Sequence, residues 1–158
     1  LGVEPSKPRF IWDGRYLNLW MCDLPFCLET LGKVPGMIPE GAKALSADLK
    51  NGYYHVQLHP SAYKYFGFVL RDVVYVYTVL PFGWSPAAYI FQELTDTIVN
   101  YVRASGYPCV GFIDDFFASS AWNAACANDS ARTASWLLQE VLFRAGYYIS
   151  TSKSVLTP

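Results

Sequence analysis

Two adjacent acids interrupt an apolar stretch in the second half of the chain, and they constrain the fold more than any other feature. The apolar run Cys109–Ile113 leads into Asp114 and Asp115, and apolar residues resume over Phe116–Ala118. Carboxylates are almost never buried without a partner or a metal ion, so the acids must lie where the apolar run reaches a surface. The pattern predicts a buried strand, a tight turn that carries both acids, and a return strand.

A third acid adds a chemical alternative to a simple solvated turn. Asp48 ends the apolar strand candidate Ala44–Asp48, which leads into the Asn-Gly turn signal at Asn51. If the two strands are neighbours, three carboxylates converge at one edge of the sheet, and each of them resists ionisation. A divalent cation relieves this repulsion, and oxygen ligands favour Mg²⁺. Two such ions about 4 Å apart form an arrangement suited to phosphoryl transfer.

Two longer segments have helical periodicity. The first begins at Ser85, an N-cap residue followed by Pro86, and Gly106 stops it. The second covers Asn128–Ala145 and ends at Gly146. The predicted apolar faces are Ala87, Phe91, Leu94, Ile98 and Tyr101 in the first helix, and Ala131, Ala134, Leu138, Val141 and Ala145 in the second.

Further strand signals complete the pattern. Tyr65–Leu70 and Val73–Val79 flank a two-residue Arg-Asp turn as in a β-hairpin. Arg9–Trp12 and Tyr147–Ile149 are two further strand candidates, and a connector rich in Pro and Gly contains one short helix, at Pro25–Leu31. This order predicts an α+β fold, in which one antiparallel sheet carries both long helices on one face in a split βαβ, ferredoxin-like topology.

Composition places the chain among ordered domains. It has 158 residues, of which 53% are hydrophobic and 16% charged. The net charge of −1 is low for a free-standing nucleic-acid binder, so either the domain does not bind nucleic acid alone or the basic surface belongs to other parts of the protein. A start at Leu1 and an end at Pro158 in mid-pattern lead us to expect an excerpt from a larger protein.

Cysteine usage and hydropathy bear on the compartment. The sequence contains neither a targeting peptide nor an apolar run of about 18 residues, so we expect no membrane partner. The cysteines form no CxxC pair, and we interpret them as buried reduced thiols of an intracellular protein, with nucleus and cytoplasm left open. They are Cys22, Cys27, Cys109 and Cys126.

Five stretches, in order along the chain, resemble the motifs of reverse transcriptases. Lys7–Asn18 resembles the fingers motif, a basic pair followed by Asp-x-Arg-x-x-Asn, and we take its acid and arginine as a structural ion pair. Ala47–Tyr54 looks like the first palm motif, and Leu80–Ala87 looks like the loop that leads into the palm helix. Phe112–Asp115 looks like the paired-aspartate motif, and Gly146–Ser154 like the later motif that carries a lysine.

Two details refine the resemblance. Phe112 stands where the family often has Tyr, which keeps the ring and loses a hydroxyl beside the acids. Phe82 and the stretch His59–Phe68 favour retrotransposon enzymes over retroviral ones, with the tyrosine-recombinase-bearing DIRS class as the nearest match.

The resemblance implies an RNA-directed DNA polymerase, a nucleotidyltransferase that adds a deoxynucleotide to a primer 3′-hydroxyl with two Mg²⁺ ions, for which Mn²⁺ could substitute. Its partners would be an RNA or DNA template with primer, deoxynucleoside triphosphates, and the remaining polymerase domains: a thumb, with RNase H as an option. Residues 1–43 would be partial fingers and connector, and residues 44–158 the palm. Because the thumb grips duplex, the excerpt alone could be inactive.

The resemblance also implies roles for the acids. Asp48 and Asp114 would ligate both metal ions, with help from the carbonyl of Leu49. Asp115 would support the site as a weaker ligand.

Three basic residues would contact phosphate in this scheme. Arg9, and less surely Lys7, would hold the incoming triphosphate, since a planar guanidinium suits bidentate phosphate contact. Lys153 would donate a proton to the departing pyrophosphate. Without the resemblance, a solvated strand end and a solvated loop are equally simple interpretations.

The sugar and base of the nucleotide would meet a second group. Tyr53 would lie under the sugar and exclude a 2′-hydroxyl, whereas spacing alone places this tyrosine in the core. Phe82 and Gly83 would touch the nucleotide or the template.

Two other functions stay open. A catalytically retired polymerase fold could act as a nucleic-acid or protein interaction scaffold, which the near-neutral charge allows but the presence of all three acids disfavours. A polymerase that makes RNA is disfavoured by the bulky ring of Tyr53.

Overall fold

The computed structural model describes residues 12–157, so the candidates Lys7 and Arg9, and the predicted strand Arg9–Trp12 except for its last residue, lie outside the described residues. The described chain contains four α-helices and five strands. In order they are α1 (Arg15–Asn18), α2 (Val34–Met37), β1 (Ala44–Asp48), β2 (Gly67–Leu70), β3 (Val73–Val76), α3 (Ser85–Ala104), β4 (Cys109–Phe112), β5 (Asp115–Ser119) and α4 (Ala127–Arg144).

A three-stranded antiparallel sheet in the order β1, β5, β4 forms the centre of the fold. Asp48 lies opposite Asp115 in this sheet, so the two acid-bearing strands are direct neighbours. The predicted last strand, Tyr147–Ile149, is reduced to a bridge between its final residue and Leu49, because the chain turns immediately afterwards.

Residues alternate along the strands between a face covered by helices and a face that α3 and α4 leave uncovered. Leu45, Ala47 and Phe116 are buried on the covered face, whereas Asp48 and Asp115 lie on the other one. Helix α3 packs on β4, and α4 packs on β5 and β1. This arrangement confirms the predicted α+β fold with both long helices on one face of an antiparallel sheet.

The ends of the long helices agree with the prediction to within one residue, but one cap differs. Ser85 is the first residue of α3 and Trp84 occupies the N-cap position without a side-chain hydrogen bond. Instead, Oδ1 of Asn18 accepts a hydrogen bond from the Ser85 N–H at 2.9 Å, so a distant residue caps the helix. Helix α4 ends one residue early, which leaves Ala145 exposed beyond it.

The buried face of α3 is rotated relative to the predicted one. Leu94 and Tyr101, assigned to the core, are exposed, while the polar Gln92 and Thr95 are buried. Close approach to β4 explains the shift: a Cβ added at Gly111 would lie 2.5 Å from the Thr95 Cγ2 atom. Apolar periodicity could not reveal this face, because polar side chains with distant hydrogen-bond partners form part of it.

The predicted helix at Pro25–Leu31 is wrong. The chain has no regular structure there until a 3₁₀ helix at Leu31–Lys33, which runs directly into α2. Tertiary contacts hold the segment instead of local hydrogen bonds. The Phe26 ring centroid lies 6.0 Å from that of Tyr89, and Glu29 forms an ion pair with the arginine of α3 at 2.8 Å.

The predicted hairpin that contains β2 and β3 is present, with shorter strands than expected. Tyr65–Leu70 loses its first residues to a 3₁₀ helix at Pro60–Tyr65, and Val73–Val79 ends early because Val79 bridges Gln57 instead of continuing the hairpin. The side chains of β2 and β3 are exposed except for one that is half-buried.

The cysteine interpretation holds for one residue. Cys109 is fully buried in β4, and burial raises the pKa of its thiol to about 12. The others, Cys22, Cys27 and Cys126, are free and exposed because they lie in irregular segments away from the sheet. Within residues 12–157, no helix is long and apolar enough to cross a membrane.

Candidate active site

Two of the predicted metal ligands lie opposite each other on neighbouring strands of the central sheet. Asp48 ends β1 and is paired in register with Asp115, which begins β5. Residues opposed in this way have Cβ atoms about 4.5–5.5 Å apart, so the two carboxylates share one end of the uncovered sheet face. That end opens into a groove of about 190 Å³, lined by Ser46, Ala47, Asp48, Val110, Phe112, Asp115, Phe116, Phe117 and Lys153.

Asp114 joins them from the turn between β4 and β5. Its carbonyl oxygen accepts a hydrogen bond from the Leu49 N–H at 2.9 Å, which ties the turn to the end of β1. Its carboxylate lies against Gly52, since a Cβ added at that glycine would be 3.1 Å from Oδ2. Glycine at this position therefore leaves room for the acid.

The turn that carries Asp114 has an unusual backbone. Ile113 has a φ of +56°, a left-handed conformation that is rare for a β-branched residue. Two buried side chains of α3 hold it there: Oε1 of Gln92 accepts a hydrogen bond from the Ile113 N–H at 2.9 Å, and Oγ1 of Thr95 donates one to the Ile113 carbonyl at 2.6 Å.

Asp114 and Asp115 are harder to ionise than free carboxyls. Burial is the main cause that raises the pKa of Asp114, a backbone hydrogen bond offsets part of it, and the charges of Asp115 and Asp48 add to it. Burial and the charge of Asp48 likewise raise the pKa of Asp115. The amine of Lys153 lowers both pKa values in part, so a cation already moderates the repulsion.

The donor set fits a divalent cation. Oδ2 of Asp48 is buried and has no hydrogen-bond partner among residues 12–157, while Oδ1 lies 3.4 Å from the Lys153 amine. A buried carboxylate oxygen without a partner is costly, and a hard cation is the ligand that such oxygens prefer. As the described side chains lie, no three His, Cys, Asp or Glu residues are grouped closely enough to hold a metal ion, so a carboxylate would have to rotate toward it.

Ser150 and Ser154, in the turn that carries Lys153, hold the backbone of Asp48. Its backbone N–H donates to Oγ of Ser154 at 2.9 Å, and the same hydroxyl donates to the Ser150 carbonyl at 2.8 Å. These bonds place the turn that carries Lys153 beside the acid. The contact joins residues that are 105 positions apart, and sequence pattern alone does not predict it.

The predicted nucleotide-contacting residues cluster next to the acids. The Tyr53 ring centroid lies 4.8 Å from that of Phe82 and 5.3 Å from that of Phe91. Burial raises the pKa of the Tyr53 hydroxyl, and the charge of Asp114 is the second cause, so the ring that packs against Phe82 lies near this acid. Both interpretations of Tyr53 are therefore compatible with its half-buried position.

The loop before α3 is held by the start of the described chain. Gly83 has a φ of +98°, and a Cβ added there would lie 2.9 Å from the Trp12 carbonyl oxygen. Its own carbonyl accepts a hydrogen bond from Nδ2 of Asn18 at 2.8 Å. The predicted ion pair of the same segment is present, with Arg15 and Asp13 2.7 Å apart at an exposed site.

A second depression does not compete with this site. It has a volume of about 480 Å³ and lies near Gly106, Trp122, Cys126 and Ser130. None of the described residues that line it is an aspartate, a glutamate, a histidine, a lysine or an arginine, so it lacks the paired carboxylates of the first site.

Comparison with known families agrees with this geometry. The family model described as reverse transcriptase (RNA-dependent DNA polymerase) matches residues 7–158, which is nearly the whole chain. The chain belongs to the reverse transcriptase family. The match includes Asp48, Asp114 and Asp115.

Solved structures share the fold of this reverse transcriptase domain. The foamy viral protease-reverse transcriptase in complex with double-stranded DNA matches 100% of this chain and 26% of its own, with a TM-score of 0.82 at 18% identity. The same kind of protein in complex with an RNA/DNA hybrid matches 96% of this chain and 20% of its own, with a TM-score of 0.74 at 19% identity.

A curated viral relative shares a shorter stretch. A putative enzymatic polyprotein of Cassava vein mosaic virus is 39% identical over 51 residues, which are 32% of this chain and 8% of that protein. The reverse transcriptase domain thus spans about a quarter of the first structure and under a tenth of this relative.

The structure adds residues that sequence pattern missed. Gln92 and Thr95 hold the acid-bearing turn, Asn18 holds the loop before α3, and Ser154 holds Asp48. For Gln92 and Thr95, the available signal was a polar side chain near the apolar face of the predicted helix. Such a residue indicates either that the buried face was assigned wrongly or that the side chain makes a buried hydrogen bond. Asn18 was visible only as the last residue of the fingers motif.

Proposed function

We propose that the chain is the palm and partial fingers of an RNA-directed DNA polymerase that uses two Mg²⁺ ions, with Mn²⁺ as a substitute. One observation carries the proposal: Asp48 and Asp115 are paired at one end of an uncovered sheet face, Asp114 lies in the adjoining turn, and a buried oxygen of Asp48 lacks a hydrogen-bond partner among residues 12–157. Membership of the reverse transcriptase family supports it. So do relatives solved with double-stranded DNA and with an RNA/DNA hybrid.

Asp48 and Asp114 would hold the ions together with the Leu49 carbonyl, and Asp115 would contribute a weaker contact. The ions would supply Lewis acidity, which activates the primer hydroxyl and neutralises charge on the pyrophosphate. The raised pKa values of Asp114 and Asp115 support this assignment, because a nearby cation would favour the ionised form of each carboxyl.

The remaining residues would bind and orient the substrate. Lys7 and Arg9 would contact the triphosphate, and Phe82 and Gly83 would contact the nucleotide or template. Tyr53, which packs against Phe82 and lies near Asp114, would exclude a 2′-hydroxyl and so select deoxynucleotides. Lys153 would give its proton to the departing pyrophosphate, and it already lies 3.4 Å from Asp48.

Primer extension by the intact polymerase that carries this domain tests the proposal. Asp114→Asn should lower kcat about a hundredfold or more on RNA and DNA templates, because it removes a carboxylate that would hold the metal ions. Asp72→Asn, in the exposed turn of the other hairpin, should keep wild-type activity. Extension that survives Asp114→Asn would rule the catalytic assignment out.

Titration calorimetry separates the polymerase from a retired scaffold. The intact polymerase should bind a deoxynucleoside triphosphate only when Mg²⁺ is present. If no metal-dependent nucleotide binding is measured, the scaffold function, which the net charge of −1 allows, replaces the polymerase.

Sugar selection tests the alternative of a polymerase that makes RNA. Tyr53→Ala should raise ribonucleotide incorporation relative to deoxynucleotide incorporation, while Tyr65→Ala, at an exposed ring, should not. An unchanged sugar preference in Tyr53→Ala would remove the steric role from this residue.

We also propose the domain division and the parent element. Residues 1–43 would form partial fingers and connector, and residues 44–158 the palm of a larger polymerase with a thumb and, as an option, RNase H. Phe82 and the stretch His59–Phe68 favour a retrotransposon, with the DIRS class as the nearest match. Sequencing the flanking gene for a tyrosine recombinase checks this assignment.

A further inference from the structure

The turn between β4 and β5 cannot hold its own conformation. Ile113 sits at the first turn position with a φ of +56°. This left-handed conformation is unfavourable for a branched residue, and it persists only where surrounding structure determines it. The residue that follows in the turn is Asp114, so whatever holds Ile113 also sets the direction of that carboxylate.

Both backbone polar groups of Ile113 are bound by side chains of α3. Gln92 accepts from its N–H at 2.9 Å and Thr95 donates to its carbonyl at 2.6 Å. The two residues are three positions apart, which puts them on one face of the helix. Each is only 2% exposed, so solvent does not compete for these bonds. We call this pair of side chains the turn clamp.

The orientation of the clamp is itself determined. Nε2 of Gln92 donates to Oδ1 of Asp96 at 2.7 Å and to the Gly111 carbonyl at 3.3 Å, which directs Oε1 of the amide toward Ile113. The lack of a side chain at Gly111 lets α3 approach β4 closely enough for Thr95 to reach the turn. Burial of two polar side chains in an apolar helix face is costly unless such bonds are made.

We infer that Gln92 and Thr95 are positioning residues for catalysis: they hold the Ile113–Asp114 turn in the left-handed conformation that directs the Asp114 carboxylate toward the metal-binding end of the sheet. The inference rests on the proposed function. Without the clamp, Ile113 relaxes toward a negative φ, and the Asp114 carboxylate moves away from Asp48 and Asp115 while the fold persists.

The experiment uses the intact polymerase with isosteric variants. Thr95→Val removes one hydroxyl at nearly constant volume, Gln92→Met removes the amide, and Thr95→Ser restores the donor. Thr97→Val and Gln139→Met are matched controls, because those side chains bond only within their own helices. The measurements are kcat, KM for deoxynucleotide, Mn²⁺ binding followed by the electron paramagnetic resonance of free Mn²⁺, and the melting temperature.

We expect Thr95→Val and Gln92→Met to lower kcat about ten- to a hundredfold and to weaken Mn²⁺ binding, because small misplacements of a catalytic group have effects of that size. KM for deoxynucleotide should change less than about twofold, and Thr95→Ser and both controls should resemble the wild type. Normal kcat and Mn²⁺ binding in Thr95→Val would overturn the inference.

Two further outcomes are decisive. A loss of kcat that follows the unfolded fraction, with Thr95→Ser as impaired as Thr95→Val, would assign the clamp a structural role alone and overturn the inference. If Gln92→Met folds poorly, Thr95→Val decides the outcome, since it deletes a single oxygen. Asp114→Asn, measured alongside, separates the two levels: inactivity of that variant together with active clamp variants rejects the clamp and retains the proposed function.

Discussion

The two hairpins of this domain close with the same number of turn residues and differ in almost everything else. In the β2–β3 hairpin, Arg71 and Asp72 both have positive φ values, +50° and +61°, which is the pattern of a type I′ turn. In the β4–β5 hairpin, Ile113 alone has a positive φ, of +56°. The strands of the first hairpin are mostly exposed, whereas those of the second lie in the central sheet under α3 and α4.

The difference shows how a chain places acids that repel one another. An exposed turn depends on the preference of its own residues, and Asp72 tolerates the left-handed region. In the turn that carries Asp114, Ile113 disfavours the left-handed region. Buried side chains of α3 must therefore hold it there. The direction of the Asp114 turn thus depends on side chains of another element, whereas the Arg71–Asp72 turn depends on its own residues.

The largest difference in stability is expected between a substitution in a strand of the β4–β5 hairpin and one in a strand of the β2–β3 hairpin. Phe116→Ala in β5 should destabilise the domain by about 3–5 kcal/mol, because the ring is only 2% exposed and leaves a cavity. Val74→Ala in β3 should change stability by less than about 0.5 kcal/mol, because that side chain is 73% exposed. Urea unfolding measures both, and equal losses would show that the β2–β3 hairpin is buried in solution.

Glycine substitutions should separate the hairpins less strongly. Gly111→Ala should cost about 1–3 kcal/mol by overpacking, since its Cβ would meet Thr95 and Val99 side-chain atoms at 2.5 and 2.7 Å. Gly67→Ala in β2 should be neutral or stabilising by up to about 1 kcal/mol, since its nearest contact would be an ordinary 3.7 Å. Matching losses in urea unfolding would contradict the close approach of α3 to β4.

Acid titration should reveal the buried turn. The pKa values of Asp114 and Asp115 are raised in the folded state, so above the ordinary value of 3.8 the unfolded chain releases these protons first. The metal-free protein should therefore lose stability as pH rises from about 4 through the raised pKa values. Mg²⁺ should restore more stability at pH 8 than at pH 4, as thermal melts can record; an equal effect at both pH values would contradict the cation site.

The smallest effect should come from the exposed turn. Asp72→Gly supplies the residue that a type I′ turn prefers at its second position, and it should stabilise the domain by about 0.5 kcal/mol. Ile113→Gly should also relieve its backbone, but it removes a side chain packed against the core, so no net gain is expected. If Ile113→Gly stabilised the domain, the backbone preference of residue 113 alone would determine the turn that carries Asp114.

Local signals predicted much of the fold. The bounds of β1, the start of α3 and the two turns follow from residues next to one another, such as the Pro that begins a helix or the acids that end an apolar run. The three aspartates were identified in the same way, but their meeting depended on β1 and β5 being neighbours. The predicted helix at Pro25–Leu31 was wrong because contacts with α3 hold that segment.

The sequence by itself determined the central strands, the two long helices and the acids at the strand ends, because hydrophobic period and turn chemistry act over a few residues. Tertiary structure decided that Gln92 and Thr95 face the core while Leu94 and Tyr101 face solvent, and that Lys153 lies beside Asp48. The physical reason is the range of the interaction. Burial of a polar side chain depends on hydrogen-bond partners from distant segments, and no local pattern encodes them.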